Sequence, residues 1–160
     1  MKKIDRDGLL LCDLQAKAFE LSVTMQETGS AIFIRRFMNS TIAGEMDRGI
    51  VLQTGIQPGE MLELVEAEYG KSDYGSVKYT ENEMFWIGYI YRYFAYTYER
   101  SSIQVYKAVK PKELRDLFLP CPTMKTYDNL SITRYLNKYP FWIKEDFHLH
   151  PSRSNFLFKN

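Results

Sequence analysis

Glu83–Arg100 reads EMFWIGYIYRYFAYTYER, and eight of the fourteen residues from Phe85 to Tyr98 are aromatic. On a helix of about 3.6 residues per turn, Phe85, Tyr89, Tyr93 and Tyr96 gather on one side, with Trp86 beside them. Ile87, Ile90 and Phe94 cover the other side, extended by Tyr91 and Tyr98. A narrow stripe remains: Gly88, Arg92, Ala95 and Glu99. A helix apolar almost all round is buried by neighbours on most of its circumference. The alternation of tyrosines is also compatible with a strand, because aromatic residues suit pleated sheets. An unbroken run of about eighteen residues is too long for an ordinary strand. Thr80 and Glu83 have capping-box spacing, so the sequence predicts a central helix from about Thr80 to Glu99.

The flanking sequence predicts shorter helices. Leu10, Leu14, Ala18, Leu21 and Met25 recur at helical steps from Asp7 to about Thr28, with Phe19 and Val23 on the far side. Gly29 follows, where a helix end favours a left-handed residue. Ser30 is placed to cap Ala31–Met38, and Asn39-Ser40-Thr41 to cap Ile42–Met46, which Gly49 ends. Pro58 opens a helix with Met61, Leu62, Leu64 and Val65 inward and Glu60, Glu63, Glu66 and Glu68 outward. Gly70–Ser76, GKSDYGS, is a loop. Ser101-Ser102 recaps the chain before Ile103–Val109, and Lys112–Phe118 and Asn129–Tyr139 complete the helices. The fold class is therefore all-α, a compact multi-helix bundle around the aromatic helix. Residues 1–128 form the helical domain, and residues 129–160 add a short helix and an extended aromatic tail that lies on the body or on a partner.

Composition narrows the classes. The chain has 160 residues, enough for one domain with a sizeable core. Lys and Arg number 21 against 20 Asp and Glu, so there is no overall electrostatic footprint for nucleic acid. Cys12 and Cys121 are isolated, which suits a reducing cytoplasm and neither a disulfide nor a metal site. The apolar run after the basic N-terminus covers only Leu9–Cys12, too short for a secretory signal, and Arg92 with its many tyrosine neighbours argues against a membrane span.

No catalytic motif organises the polar residues. His148 and His150 alternate near Glu145 and Asp146 but lack the further ligands of a structural metal site, so the expectation is no metal and no cofactor. GKSDYGS lacks the spacing of a phosphate loop. The stripe through Arg92 has two readings. In the structural one, Gly88 and Ala95 admit a neighbouring helix and Arg92 pairs with an internal carboxylate, as a buried cation must. In the other, the stripe is the open side and Arg92 contacts a partner. Arg35 and Arg36 interrupt an apolar helix, so at least one faces outward, either solvated or docking an acidic partner.

Three strings, Phe33–Ser40, Asn82–Glu99 and Val109–Leu117, resemble a group of small bacterial proteins common in Gram-positive gut bacteria. These are associated with toxin–antitoxin loci whose neighbours resemble ADP-ribosyltransferase toxins. The resemblance covers about Phe33–Thr123 and stops short of the tail. It implies a cytoplasmic, antitoxin-like protein that binds and restrains a cognate protein partner. The candidate partner-binding residues are Arg35, Arg36, Arg92 and Glu99, which supply charged specificity, and Phe141, Trp142 and Phe147, which supply buried area. A nucleic-acid-binding or mobile-element regulatory role, a homodimer, and a small enzyme without a recognisable motif stay open as alternatives.

Overall fold

A computed structural model describes residues 2–117. Among them are eight helices and no strand: α1 (Arg6–Met25), α2 (Ser30–Met38), α3 (Thr41–Asp47), α4 (Val51–Thr54), α5 (Pro58–Tyr69), α6 (Glu81–Thr97), α7 (Ser102–Ala108) and α8 (Pro111–Leu117). The all-α class is as expected. The expected helix over Asn129–Tyr139 and the tail lie outside the described residues.

α6 begins where the capping box places it. Thr80 Oγ1 accepts the Glu83 N–H at 3.2 Å, and the Glu83 carboxylate accepts the Thr80 N–H at 2.8 Å. Every residue from Met84 to Ala95 is buried, the consequence of an apolar surface that runs around the whole helix. Its most extensive neighbour is α1, and the pair is antiparallel: Gly8 packs on Tyr96, Gln15 on Gly88 and Arg92, and Phe19 on Gly88. The two backbones come close because Gly88 carries no side chain. A Cβ there would lie 2.8 Å from the Phe19 ring and 3.0 Å from Ala16 Cα. Phe19 then meets Phe33 and Phe37 of α2 edge-on, at centroid distances of 5.4 and 5.0 Å.

The face that α1 buries differs from the expected leucine stripe. Leu11, Cys12, Gln15, Ala16, Phe19 and Ser22 are interior, whereas Leu10 and Met25 are half exposed. Close approach to α6 selects small residues for the seam, and the bulkier leucines are displaced to its edges. α5 shows a similar departure: Met61, Leu62 and Val65 are buried, but Leu64 is exposed.

The α1–α2 turn also departs from expectation. α1 stops at Met25 with Gln26 extended, and Gly29 has φ −58°, not a left-handed angle. What Gly29 needs is space, because a Cβ would lie 2.8 Å from the Gly75 carbonyl oxygen. The loop over residues 70–79 is held there. Tyr74 and Val77 carbonyls accept the Gly29 and Ser30 N–H groups, and Ser30 Oγ accepts the Tyr79 N–H at 2.8 Å. Ser30 is thus helical and ties down the loop; Gly29 occupies the cap position.

α3 starts on Ser40, whose Oγ accepts the Ala43 N–H, and a Glu68 carboxylate from α5 accepts the Thr41 N–H at 2.9 Å. Gly49, at φ 71°, ends that segment, and the short α4, which the sequence pattern does not announce, follows before Pro58. Ser101 and Gln104 form a capping box for α7, in agreement with the predicted restart. Arg115 of α8 reaches Glu83 at 3.0 Å and lies over the Tyr79 ring at 4.3 Å, which fixes α8 to the start of α6. No described helix is long and apolar enough to cross a membrane.

Candidate functional site

The charged residue of the aromatic helix lies inside the molecule. Arg92 is 1% exposed, and its guanidinium is bound on three sides. Nε donates to Gln15 Oε1 at 2.9 Å, Nη1 to Asp47 Oδ1 at 2.6 Å and Nη2 to Ser102 Oγ at 2.8 Å. The ring of bonds closes on itself. Ser102 Oγ donates to Asp47 Oδ1 at 2.7 Å, and Asp47 Oδ2 accepts the Ser102 N–H at 2.8 Å. Gln15 Nε2 donates to the Gly88 carbonyl at 3.0 Å. Four helices, α1, α3, α6 and α7, therefore meet on one guanidinium.

This arrangement corrects the expectation that Arg92 contacts a partner. The stripe Gly88, Arg92 and Ala95 is the seam facing α1, and desolvating an arginine is tolerable only because its donors are satisfied there. The remaining member, Glu99, is exposed but engaged through its backbone. With φ 53° it holds the left-handed position after α6, where Glu99 N–H returns to the Tyr96 carbonyl and Arg100 N–H to the Ala95 carbonyl. That is a Schellman closure with glutamate in the place usually taken by glycine. Neither Gln15, Asp47 nor Ser102 stands out in the sequence. The demand of a buried arginine for a carboxylate is readable, but the identity of that carboxylate is not.

Buried polar groups near the network are held in their neutral forms. Burial pushes the Cys12 thiol far above its ordinary range, against the opposing pull of the Arg92 charge. Burial likewise raises Tyr91 well above a normal phenol, and its hydroxyl donates to the Val109 carbonyl at 2.7 Å. Neither group is a ready nucleophile or base.

The two arginines of α2 diverge. Arg36 Nη1 donates to the Gly70 carbonyl at 2.9 Å, and its guanidinium lies 5.7 Å from the Tyr69 ring centroid, which joins α2 to the 70–79 loop. Arg35, one residue earlier, is exposed. Several large apolar side chains of α1, α5 and the 70–79 loop face solvent: Tyr74 is 69% and Val77 59% exposed, and Met25 and Tyr69 are about half exposed. A shallow groove of about 290 Å³ passes Met25, Leu62 and Ala67 and is edged by Glu63, Glu66 and Lys71. A second open groove, about 390 Å³, lies between Lys17, Glu20 and Leu21 of α1 and Pro58 and Glu81. Burial raises the Glu20 carboxyl there, and the nearby Glu81 charge adds to it. The tail candidates Phe141, Trp142 and Phe147 lie outside the described residues, as do His148 and His150.

No family model, curated protein or solved structure compared with the chain matches it.

Proposed function

We propose that the protein is a non-catalytic interaction module, antitoxin-like in action, that binds and restrains a cognate protein. The observation that carries this reading is the surface around the α1–α2 junction. There Tyr69 packs by Arg36, Met25 is half exposed at the end of α1, and Tyr74 and Val77 present apolar area to solvent on a loop fixed by backbone bonds to Gly29 and Ser30. Exposed aromatic residues next to arginine are the composition from which interface binding energy is most often drawn. A fixed loop offers them with little ordering cost on binding. The interior is in keeping with this view, because Arg92, the one buried cation among the described residues, is spent on joining helices.

A cognate partner resembling an ADP-ribosyltransferase toxin follows from the sequence resemblance. Base stacking on nucleic acid has less to work with, because Tyr89 and Tyr91 of the aromatic helix are buried. The test is genetic. Deleting this chain while the neighbouring gene is retained should arrest growth, and re-expression should restore it. Unchanged growth in the deletion, with no complex between the two products, contradicts the reading.

A further inference from the structure

Two arginines hold the two ends of the 70–79 loop. At its start Arg36 of α2 donates to the Gly70 carbonyl at 2.9 Å and lies beside the Tyr69 ring. At its end the Arg115 guanidinium lies over the Tyr79 ring at 4.3 Å, while its Nε donates to Glu83 Oε1 at 3.0 Å. Glu83 Oε2 accepts the Thr80 N–H, so one carboxylate both caps α6 and holds α8. Tyr79 is buried, and its N–H donates to Ser30 Oγ at 2.8 Å. Ser30 N–H in turn donates to the Val77 carbonyl at 2.9 Å, and Gly29 N–H to the Tyr74 carbonyl at 3.0 Å. A continuous series of contacts therefore runs from α8, through Tyr79 and Ser30, to the exposed Tyr74 and Val77. A further tie, Lys78 Nζ to the Gln26 carbonyl, is solvent-exposed and joins the loop to α1 rather than to α8.

We infer that α8 is a latch on this loop: docked, it holds Tyr74 and Val77 in fixed positions, and released, it frees them. As regulation of that surface, the inference rests on the interaction-module reading above. α8 has 7 residues, far below the roughly 12–15 at which an isolated helix becomes even marginal in water. Its helical form therefore depends on docking against α2 and α6, and the element has two states, docked and folded or detached and unfolded. The docking contacts are few. Leu114 is buried and Arg115 holds Glu83 and Tyr79, whereas the Lys112–Asp116 pair is exposed to solvent. An element anchored so lightly opens at a free energy well below that of global unfolding. Its release takes the guanidinium off the Tyr79 ring and loosens the bonds that Ser30 makes to the loop. Linkage is reciprocal, so a partner that fixes Tyr74 and Val77 also tightens α8.

Backbone NMR on the full-length protein tests the latch. In the native protein the Gly29, Ser30 and Tyr79 N–H groups should share the exchange protection of the α8 amides, below that of Phe19 and Tyr91 in the core. Arg115→Ala should speed exchange of both groups by one common factor, about fivefold. Lys112→Ala, which breaks only the exposed pair, should leave both unchanged. Leu114→Ala removes the buried side chain and detaches α8. The heteronuclear NOE should then drop at Tyr74 and Val77, while Phe19 and Tyr91 stay rigid. Circular dichroism confirms that the variants are folded. Loop anchors that keep native rates while the α8 amides accelerate in Arg115→Ala overturn the proposal. So does core-level protection of those anchors in the native protein, or an unchanged NOE at Tyr74 and Val77 in Leu114→Ala. No partner enters these measurements. A loop that loosens as expected in a protein that captures no neighbouring gene product leaves the latch in place and removes only the interaction reading.

Discussion

Arg92 Nη1 and Asp47 Oδ1 are 2.6 Å apart although 45 residues separate them in sequence, and this pair fixes α3 to the aromatic helix. Arg92 is almost fully buried, whereas the Asp47 side chain is 17% exposed, so the carboxylate forms the outer wall of the network. Replacing Asp47 with alanine leaves a buried guanidinium short of its counter-charge and should lower stability by about 3 kcal/mol or more. Arg92→Met alone strands the carboxylate and the Gln15 amide. The double variant Asp47→Ala/Arg92→Met removes both charges and should cost less than the sum of the singles by at least ~1 kcal/mol. Urea denaturation of the four proteins measures this coupling.

The α1–α6 seam predicts opposite signs for two glycine substitutions. Gly88→Ala drives a methyl group into Phe19 and Ala16 and should destabilise by about 1–3 kcal/mol. Gly44→Ala lies in α3 with no atom within 4 Å of the added Cβ, and should stabilise by up to about 1 kcal/mol. Thermal unfolding of both variants separates the two cases.

Glu99 closes α6 in a left-handed conformation at φ 53°. Glycine takes this conformation without a Cβ clash, so Glu99→Gly should raise stability by about 0.5–1 kcal/mol, and Glu99→Val should lower it. A change of opposite sign in the melting temperature would show that the glutamate side chain matters more than its backbone.

Glu83 gives a pH dependence of known sign. Burial alone would raise its carboxyl, but the Thr80 N–H and Arg115 outweigh burial, and the folded group titrates below its ordinary value of 4.5. A depressed folded value means that the contribution is complete above pH 4.5 and is lost as pH falls through the lower folded value. Glu83→Gln should therefore flatten the acid side of the melting-temperature profile while leaving the neutral side merely lowered. An unchanged acid slope in this variant contradicts the assignment.

The aromatic helix and the capping boxes at Thr80 and Ser101 were legible because both are local patterns. A helix that is apolar all round has to be interior, and a hydroxyl three residues before a glutamate or glutamine has to cap. The buried face of α1 was not legible by the same logic. Leucine is more apolar than cysteine, alanine or glutamine, yet contact with α6 at Gly88 rewards small size and places Cys12, Gln15 and Ala16 inside. Asp47 and Ser102 were invisible because nothing in local periodicity links a short α3 to the start of α7. Gly29 was misread as a helix terminator because its constraint comes from the Gly75 backbone, far along the chain. Of the candidate contact residues, Arg35 and Arg36 remain at the surface, Glu99 serves the backbone, and Arg92 serves the core.

The most direct measurement of the central claim is light scattering on a size-exclusion column, with the full-length protein co-expressed with the product of its neighbouring gene. The account predicts one species with the mass of both chains. That species should separate into its components when Tyr74 and Val77 are replaced by serine and Arg36 by glutamate. Two independent peaks for the native pair, or a complex indifferent to those replacements, would contradict it.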